Sequence, residues 1–272
     1  MTKPAVTSVN PAAAQVLAGH PIMSKQAVSK IIRKSAAAFA NWRAAENLHN
    51  RTEYLHSFAA ELRKNKNILA AIATIKIGKP IKEALSEIEK YSWVIEFYAD
   101  NGSIFPNDEA LNTDARKSII TLHTLGVIGS IIPRNFPYLQ ALRFVAPLLV
   151  AGNTIILGSA SATLQCSIEI EKAFRNIRLP EGVFQTIVGD YTIAKTLIDS
   201  DVSAFAFTGS TSAGAQVAER ATSPLKKSML ELGGSDPFRV CEDADIDISR
   251  YGMLEFVNIK PDSMIVGASS PC

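Results

Sequence analysis

The stretch VIGSIIPRNFPYLQALRFVAPLLVAGNTIIL, residues 127–157, decides the fold class of this chain. It contains two short runs rich in β-branched residues, Val127 to Ile132 and Thr154 to Leu157, with a helical pattern from Leu139 to Val150 between them. A strand, a helix and a second strand in this order predict a crossover that joins two parallel strands. Because parallel sheets are buried on both faces, we expect helices above and below this sheet.

The same alternation continues on both sides of this stretch. Further strands are predicted at Ser118 to Leu122, Phe184 to Val188 and Ala204 to Phe207, and further helices at Leu164 to Ile177, Thr192 to Asp199 and Ser212 to Ala221. The pattern predicts an α/β fold with a doubly wound, mostly parallel sheet. Ligands of such folds bind at the carboxyl ends of the strands.

Helices with one apolar face are predicted before this region. One begins after Ser24, a suitable N-cap, and another follows Asn50. A third ends at Gly78, which can take the left-handed cap conformation before Pro80, and Ile81 then begins a fourth. We expect these helices to serve as scaffold.

The composition excludes several classes of protein. The 272 residues include 28 Lys and Arg against 26 Asp and Glu, a balance that excludes binding to nucleic acid through a basic face. Three cysteines are too few for a disulfide framework or a zinc site, so we expect no metal and a cytoplasmic protein.

The longest uncharged stretch, Phe144 to Ile168, is interrupted by Pro147 and Gly152, and no membrane span is expected. The first twelve residues predict no signal peptide.

Three motifs carry the chemistry. They are PRNFP at 133–137, FTGSTSAG at 207–214 and LELGGSDPF at 230–238. Each is unspecific alone, but in this order and at these spacings they closely resemble the aldehyde dehydrogenase superfamily. The resemblance extends from about Val9 to about Asp247, and the third motif is most similar to the succinate-semialdehyde dehydrogenase branch.

The resemblance implies a Rossmann-like variant of the dinucleotide-binding fold and oxidation of a small-molecule aldehyde to the acid with NAD or NADP. It also implies three parts: a helical part at 1–117 that belongs to the dinucleotide-binding domain, the binding core at 118–231, and the start of a catalytic domain at 232–272. The aldehyde is the expected partner, with neither nucleic acid nor membrane. A homo-oligomer is one option that the sequence leaves open.

The residue types in these motifs also predict functions on physical grounds. The loop after the strand Ala204 to Phe207 offers backbone N–H groups and a hydroxyl to an anion at a helix N-terminus, which places Ser210 on a phosphate. The alternative is a serine that only caps the helix. Asn135, between two prolines, resembles the family's donor to the oxyanion, and Glu231 its general base. A turn asparagine and a surface glutamate are the alternatives. The expected surroundings of the cofactor are Ile132, Pro133, Arg134, Asn135, Gly158, Ser159, Ser161, Gly209, Ser210, Gly214 and Leu232.

The sequence departs from the family at three places. The family's nucleophilic cysteine lies in an Asn-x-Gly-Gln-x-Cys loop, whereas residues 256–265 read FVNIKPDSMI. Arg134 stands where the family usually carries Trp, and Gly158 where it carries a Lys that contacts the adenosine ribose. We therefore expect weak cofactor binding, with the preference between NAD and NADP left open.

None of the three cysteines is expected to replace the missing nucleophile. Cys272 lies on a tail that does not position it, and Cys166 and Cys241 read as small buried apolar residues. The chain is thus predicted to be truncated and not to oxidise aldehydes alone. Two alternatives are a non-catalytic nucleotide-binding or association module and a decayed gene product.

The loss of resemblance after Asn258 suggests a shift of reading frame. Lys260 to Ser263 can be encoded as AAA CCG GAC AGT, which contains Thr-Gly-Gln in another frame. Translating the gene and its downstream DNA in all three frames tests this hypothesis. It fails if no other frame continues into Gly-Gln and a nearby cysteine.

Overall fold

Seventeen helices and strands make up the part of the chain that the computed structural model describes, residues 4–45, 48–102 and 108–234 with Asp243 and Asp245. A short 3-10 helix at Ser161–Thr163 precedes α6. In chain order the elements are β1 (Ala5–Val9), β2 (Val16–Pro21), α1 (Lys25–Ala45), α2 (Leu48–Lys64), α3 (Lys66–Ile77), α4 (Ile81–Asp100), β3 (Glu109–Leu111), β4 (Ser118–Ile120), β5 (Val127–Ile132), α5 (Pro137–Val150), β6 (Thr154–Ser159), α6 (Leu164–Asn176), β7 (Phe184–Thr186), α7 (Tyr191–Ile198), β8 (Ala204–Gly209), α8 (Thr211–Thr222) and β9 (Lys227–Leu232).

The central sheet has five strands in the order β7-β6-β5-β8-β9, and every neighbouring pair is parallel. From β5 the chain moves outward through β6 and β7, and then returns to place β8 on the other side of β5. The strand order therefore reverses between β5 and β8, and their carboxyl ends form the crevice where doubly wound folds bind ligands. The predicted fold class is confirmed.

Helices cover both faces of the sheet, as the buried strands require. One core contains apolar side chains of α2 to α6, with Phe58 stacked on Phe174 at 3.7 Å between ring centroids. The other core is built from α1, α7 and α8 against β5, β6 and β8, and includes the buried Val28 and Phe205. Each side of the sheet therefore has its own apolar layer.

The predicted helix boundaries at Ser24 and Gly78 are confirmed, whereas α2 begins at Leu48, before the predicted start after Asn50. The hydroxyl Oγ of Ser24 accepts the amide of Ala27 at 3.1 Å, which is the bond of an N-cap. Gly78 ends α3 in the left-handed conformation, with φ of 75°, and donates its amide to the carbonyl of Thr74. These local signals fix where the scaffold helices begin and end.

Two parts of the strand prediction are wrong. The run Ser118 to Leu122 does not join the parallel sheet, because Ser118–Ile120 pairs antiparallel with Glu109–Leu111 in a separate hairpin whose side chains are mostly exposed. A second antiparallel hairpin, β1 with β2, precedes the helices and was not expected. β-branched residues favour a strand, but they do not determine which partner it pairs with.

Cys166, on α6, is the one cysteine among the described residues. Cys166 is fully buried, as predicted, and burial raises the pKa of its thiol to about 12. Cys241 and Cys272 lie outside the described residues. Among the described helices, none combines the length and the apolar character needed to cross a membrane.

Candidate functional site

A cavity of about 390 Å³ lies at the carboxyl edge of the sheet, where doubly wound folds place their ligands. Its walls come from the ends of β5, β6 and β8 and from the facing sides of α7 and α8. Of the residues predicted around a cofactor, Gly158, Ser159 and Ser161 line it. The structure thus brings the Gly-Ser-Ala-Ser segment at residues 158–161, where β6 ends, to this cavity.

Ser159 gives this cavity an unused hydrogen-bonding group. Its hydroxyl Oγ is buried and has no hydrogen-bond partner among the described residues. An unpartnered buried hydroxyl costs stability, so such groups are commonly satisfied by a ligand or by water. The cavity wall is therefore suited to a polar ligand at this position.

The loop after β8 shows one of the two alternatives for Ser210, the helix cap. Its hydroxyl accepts the amide of Ala213 at 3.3 Å, so Ser210 is the N-cap of α8. The capping alternative is thereby observed, while the contact with a phosphate stays a prediction. A helix N-terminus still presents free amides and a positive dipole end, and α8 directs these from the edge of the cavity.

Gly209 at the end of β8 and Gly214 in the first turn of α8 allow close packing. A Cβ at Gly214 would lie 2.3 Å from Cδ2 of Leu232, and one at Gly209 would lie 2.6 Å from the ring of Phe207. Glycine at 214 therefore lets α8 approach β9. Leu232 contacts the helix that follows the predicted phosphate loop, although it does not line the cavity.

The loop between β5 and α5 presents its polar residues to solvent. Ile132 is buried, Pro133 is half-buried, and Arg134 and Asn135 are exposed. The side-chain oxygen of Asn135 accepts the amide of Phe136 at 3.1 Å. Among the residues that the structure describes, Nδ2 of Asn135 has no hydrogen-bond partner, so this amide can donate to an oxyanion.

This loop is anchored by a carboxylate from another helix, which the sequence did not reveal. The Glu87 side chain, on α4, is 2% exposed, and its Oε1 accepts the amides of Tyr138 at 3.0 Å and Leu139 at 2.8 Å. Its Oε2 lies 2.6 Å from Nζ of Lys79, whose ammonium sits 3.7 Å from the ring centroid of Phe136. Glu87 therefore caps α5 and holds the residues next to Asn135.

Glu231 lies in β9, beside Thr208 of β8, and forms an ion pair. Its Oε1 is 2.6 Å from Nη2 of Arg143, two turns into α5. The pair links the helix that follows Asn135 to the strand that carries Glu231. In the sequence, Arg143 is only one residue of the predicted helix Leu139 to Val150, and no local pattern indicates its contact with Glu231.

Other residues of the cavity were also not identified from the sequence. Tyr191 and Gln216 face each other from α7 and α8, and the Tyr191 hydroxyl lies 3.2 Å from the Gln216 side-chain oxygen. Lys195 and Arg220 bring positive charge to the same walls, and Arg220 is paired with Asp199 at 2.5 Å. These residues lie in two helices without a motif, so only the tertiary structure identifies them.

Comparison with known proteins agrees with this architecture. The sequence profile described as "Aldehyde dehydrogenase family" matches residues 2–255. A probable succinate-semialdehyde dehydrogenase [NADP(+)] of Synechocystis sp. is 38% identical over 89% of this chain and 54% of its own length. A succinate semialdehyde dehydrogenase [NAD(P)+] of Escherichia coli is 33% identical over 89% of this chain and 52% of its own. The chain thus spans about half the length of the curated relatives it matches.

Solved structures show the same relation. The crystal structure of succinic semialdehyde dehydrogenase from Streptococcus pyogenes in complex with NADP+ superposes with a TM-score of 0.86 at 30% identity. The superposition covers 90% of this chain and 54% of that one. The described fold corresponds to about half of that protein.

Proposed function

The chain belongs to the aldehyde dehydrogenase family, and from this premise we propose that it is the dinucleotide-binding part of an NAD(P)-dependent oxidoreductase. The reaction of the whole protein would be the oxidation of an aldehyde to its acid, with succinate semialdehyde as the substrate. The observation that carries the proposal is the cavity at the strand-order reversal, bordered by the unpartnered hydroxyl of Ser159 and the N-terminus of α8.

The residues of the cavity fit the adenosine end of NADP or NAD. Ile131 and Val217 offer apolar surface, Ser159 offers a hydroxyl, and Lys195 offers a positive charge for a phosphate. The amides at the start of α8 would face the pyrophosphate. When bound, the cofactor accepts a hydride from the substrate. The names of the relatives include both NADP(+) and NAD(P)+, which supports either cofactor and favours NADP.

Two residues outside the cavity would act on the substrate. The free amide group of Asn135 would donate to the aldehyde oxygen as negative charge develops on it. Glu231 would accept a proton from the water that hydrolyses the acyl intermediate. Both residues lie at the carboxyl edge of the sheet, Asn135 after β5 and Glu231 near the end of β9.

A thiol nucleophile is not offered by the described part of the chain. Cys166 is its one cysteine, and it is fully buried with its pKa raised to about 12 by that burial. We therefore propose that the described domain binds the cofactor without turnover. This observation favours the second candidate function, a nucleotide-binding module.

The position of Arg143 favours an aldehyde substrate that carries a second, anionic group. Its side chain is 34% exposed and lies on the helix that begins directly after the Asn135 loop. A guanidinium at this place can pair with the remote carboxylate of succinate semialdehyde. A neutral aldehyde would offer this guanidinium no carboxylate besides that of Glu231.

We predict that a large side chain at Ala213 abolishes cofactor binding. Ala213 lines the cavity from α8, so the variant Ala213→Trp fills the space that the adenosine end needs. NADP affinity, measured by titration calorimetry, should fall by at least about tenfold. The matched control is Ala215→Trp on the exposed side of the same helix, which should keep the affinity of the wild type. Equal affinities of the two variants would contradict the proposed site.

We also predict that Gly158→Lys strengthens cofactor binding. The lysine restores a charge-assisted contact with the ribose, and the expected gain is about tenfold. A Cβ at this position would lie 2.5 Å from Cδ1 of Ile131, the mobile end of a side chain that can rotate away. Gly158→Ala isolates this steric cost, and the two variants are compared by NADP titration. No difference between lysine and alanine would show that the ribose lies elsewhere.

The cellular setting and the assembly follow from the same features. We propose a cytoplasmic location, supported by the free buried thiol of Cys166. We propose self-association, supported by β9, an edge strand that is largely exposed. Light scattering tests the second proposal, and a monomer at all concentrations would refute it.

A further inference from the structure

The ion pair between Arg143 and Glu231 combines two properties. It joins the candidate base to a cation on the helix behind the candidate oxyanion donor, and it is accessible to solvent. The side chains are 34% and 46% exposed, and the atoms Nη2 and Oε1 are 2.6 Å apart. An anion in the solvent can therefore reach the Arg143 guanidinium while the Glu231 carboxylate is still paired with it.

We infer that Arg143 holds Glu231 in a resting position, and that the remote carboxylate of the substrate releases Glu231 by replacing it on Arg143. The inference rests on the proposed function, because it concerns the base and the substrate of that reaction. It adds a regulatory step, in which the base becomes free only when an anionic substrate is present. The exchange replaces one carboxylate by another on the same guanidinium, so no net charge has to be buried.

The strength of the pair suits an exchange. Ion pairs at this degree of exposure contribute little to stability, since water and ions compete with them. A guanidinium has five N–H donors, so an incoming carboxylate can bind before the Glu231 carboxylate has left. The release of Glu231 thus needs no step in which either charge is unpaired.

Other ion pairs of the described residues lack this combination. Lys79 and Glu87 are also 2.6 Å apart, but their side chains are only 6% and 2% exposed, so ions in the solvent compete with this pair far less. Lys34 and Glu181 are 2.6 Å apart and well exposed, but they join α1 to the turn before β7. Neither pair contains Asn135 or Glu231, and the exposed pair of Arg220 with Asp199 in the cavity wall contains neither of them.

The exchange makes an unusual prediction for a variant of the base. Glu231→Gln removes the competitor for Arg143, so it should raise the affinity for an anionic ligand, whereas loss of a directly binding residue lowers affinity. The probe is succinamate, which keeps one carboxylate of the four-carbon acid and carries a neutral amide in place of the aldehyde. By calorimetry, Glu231→Gln should bind it up to about fivefold more tightly, the range that a half-exposed ion pair allows.

Three further titrations complete the test. Arg143→Gln should bind succinamate at least about tenfold more weakly than the wild type does. Glu181→Gln breaks the exposed pair with Lys34 and should leave the succinamate affinity unchanged. Butyramide, which has no carboxylate, should not distinguish Glu231→Gln from the wild type.

The outcomes separate this inference from the proposed function. An unchanged or lower succinamate affinity in Glu231→Gln, with NADP binding intact, overturns the exchange and leaves the proposed function standing. Absence of NADP binding in the folded wild type overturns the proposed function itself. The exchange is supported if Glu231→Gln binds succinamate more tightly than the wild type and Arg143→Gln binds it more weakly.

Discussion

Replacing Glu87 by glutamine is expected to lower the free energy of unfolding by about 3–5 kcal/mol, the usual effect of removing one partner of a buried ion pair. Glutamine keeps the shape of the side chain and one oxygen for the amides of Tyr138 and Leu139. It leaves the ammonium of Lys79, in a residue that is 7% exposed, without its counter-charge. Urea unfolding followed by circular dichroism measures the difference.

Two further variants show whether the buried charge is the cause. Glu83→Gln changes an exposed carboxylate one turn earlier on α4 and should alter stability by no more than about 0.5 kcal/mol. The double variant Lys79→Met with Glu87→Gln removes the unpaired charge and should recover part of the loss. If Glu87→Gln alone costs less than about 1 kcal/mol, Lys79 is not confined as the structure shows.

The second large effect is expected in the apolar core that supports the sheet. Phe58, on α2, is fully buried, and its ring stacks on Phe174 of α6 with 3.7 Å between centroids and 7° between planes. Phe58→Ala removes this contact and leaves a cavity between the helices. The expected loss is about 3–5 kcal/mol in the free energy of unfolding.

The matched control for this prediction is Phe97→Ala. Phe97 lies on α4 and is 45% exposed, so its truncation leaves no closed cavity and should cost far less. Both variants are compared with the wild type by urea unfolding at one temperature. Equal losses would mean that the ring of Phe58 is not enclosed by α2 and α6.

The fold could be predicted because its main signals are local. Alternating strands and helices from Val127 to Ala221 determine a parallel sheet with crossovers, and the structure contains each of these elements within a few residues. The segment Ser118 to Leu122 has the same composition but forms a separate hairpin, because pairing depends on a partner strand at Glu109–Leu111. The hairpin at Ala5–Pro21 likewise depends on the pairing of β1 with β2, which the composition of either strand does not specify.

The candidate site could be predicted only in part, for the same reason. Asn135, Ser210 and Glu231 lie in short motifs at strand ends, and the structure places them at the carboxyl edge. The bond from Glu87 to the amide of Tyr138 joins residues 51 positions apart. Such contacts arise when helices pack, and the spacing of residues within one element does not encode them.

Gly158, where the resemblance implies a lysine, is a similar case. The sequence shows which residue is absent, but the structure shows what remains: a buried hydroxyl at Ser159 and positive side chains at Lys195 and Arg220 around one cavity. Binding of a nucleotide by the Ser159 hydroxyl and the side chains of Lys195 and Arg220 depends on their arrangement around the cavity. The strength of binding therefore has to be measured.

Titration calorimetry of the unmodified chain with NADP, followed by NAD, tests the central claim most directly. The account predicts one binding site per chain for NADP, with an affinity that Gly158→Lys raises and Ala213→Trp abolishes. A chain that unfolds cooperatively yet releases no heat with either cofactor would contradict it, because the cavity at the reversal of the strand order would then not be a dinucleotide site.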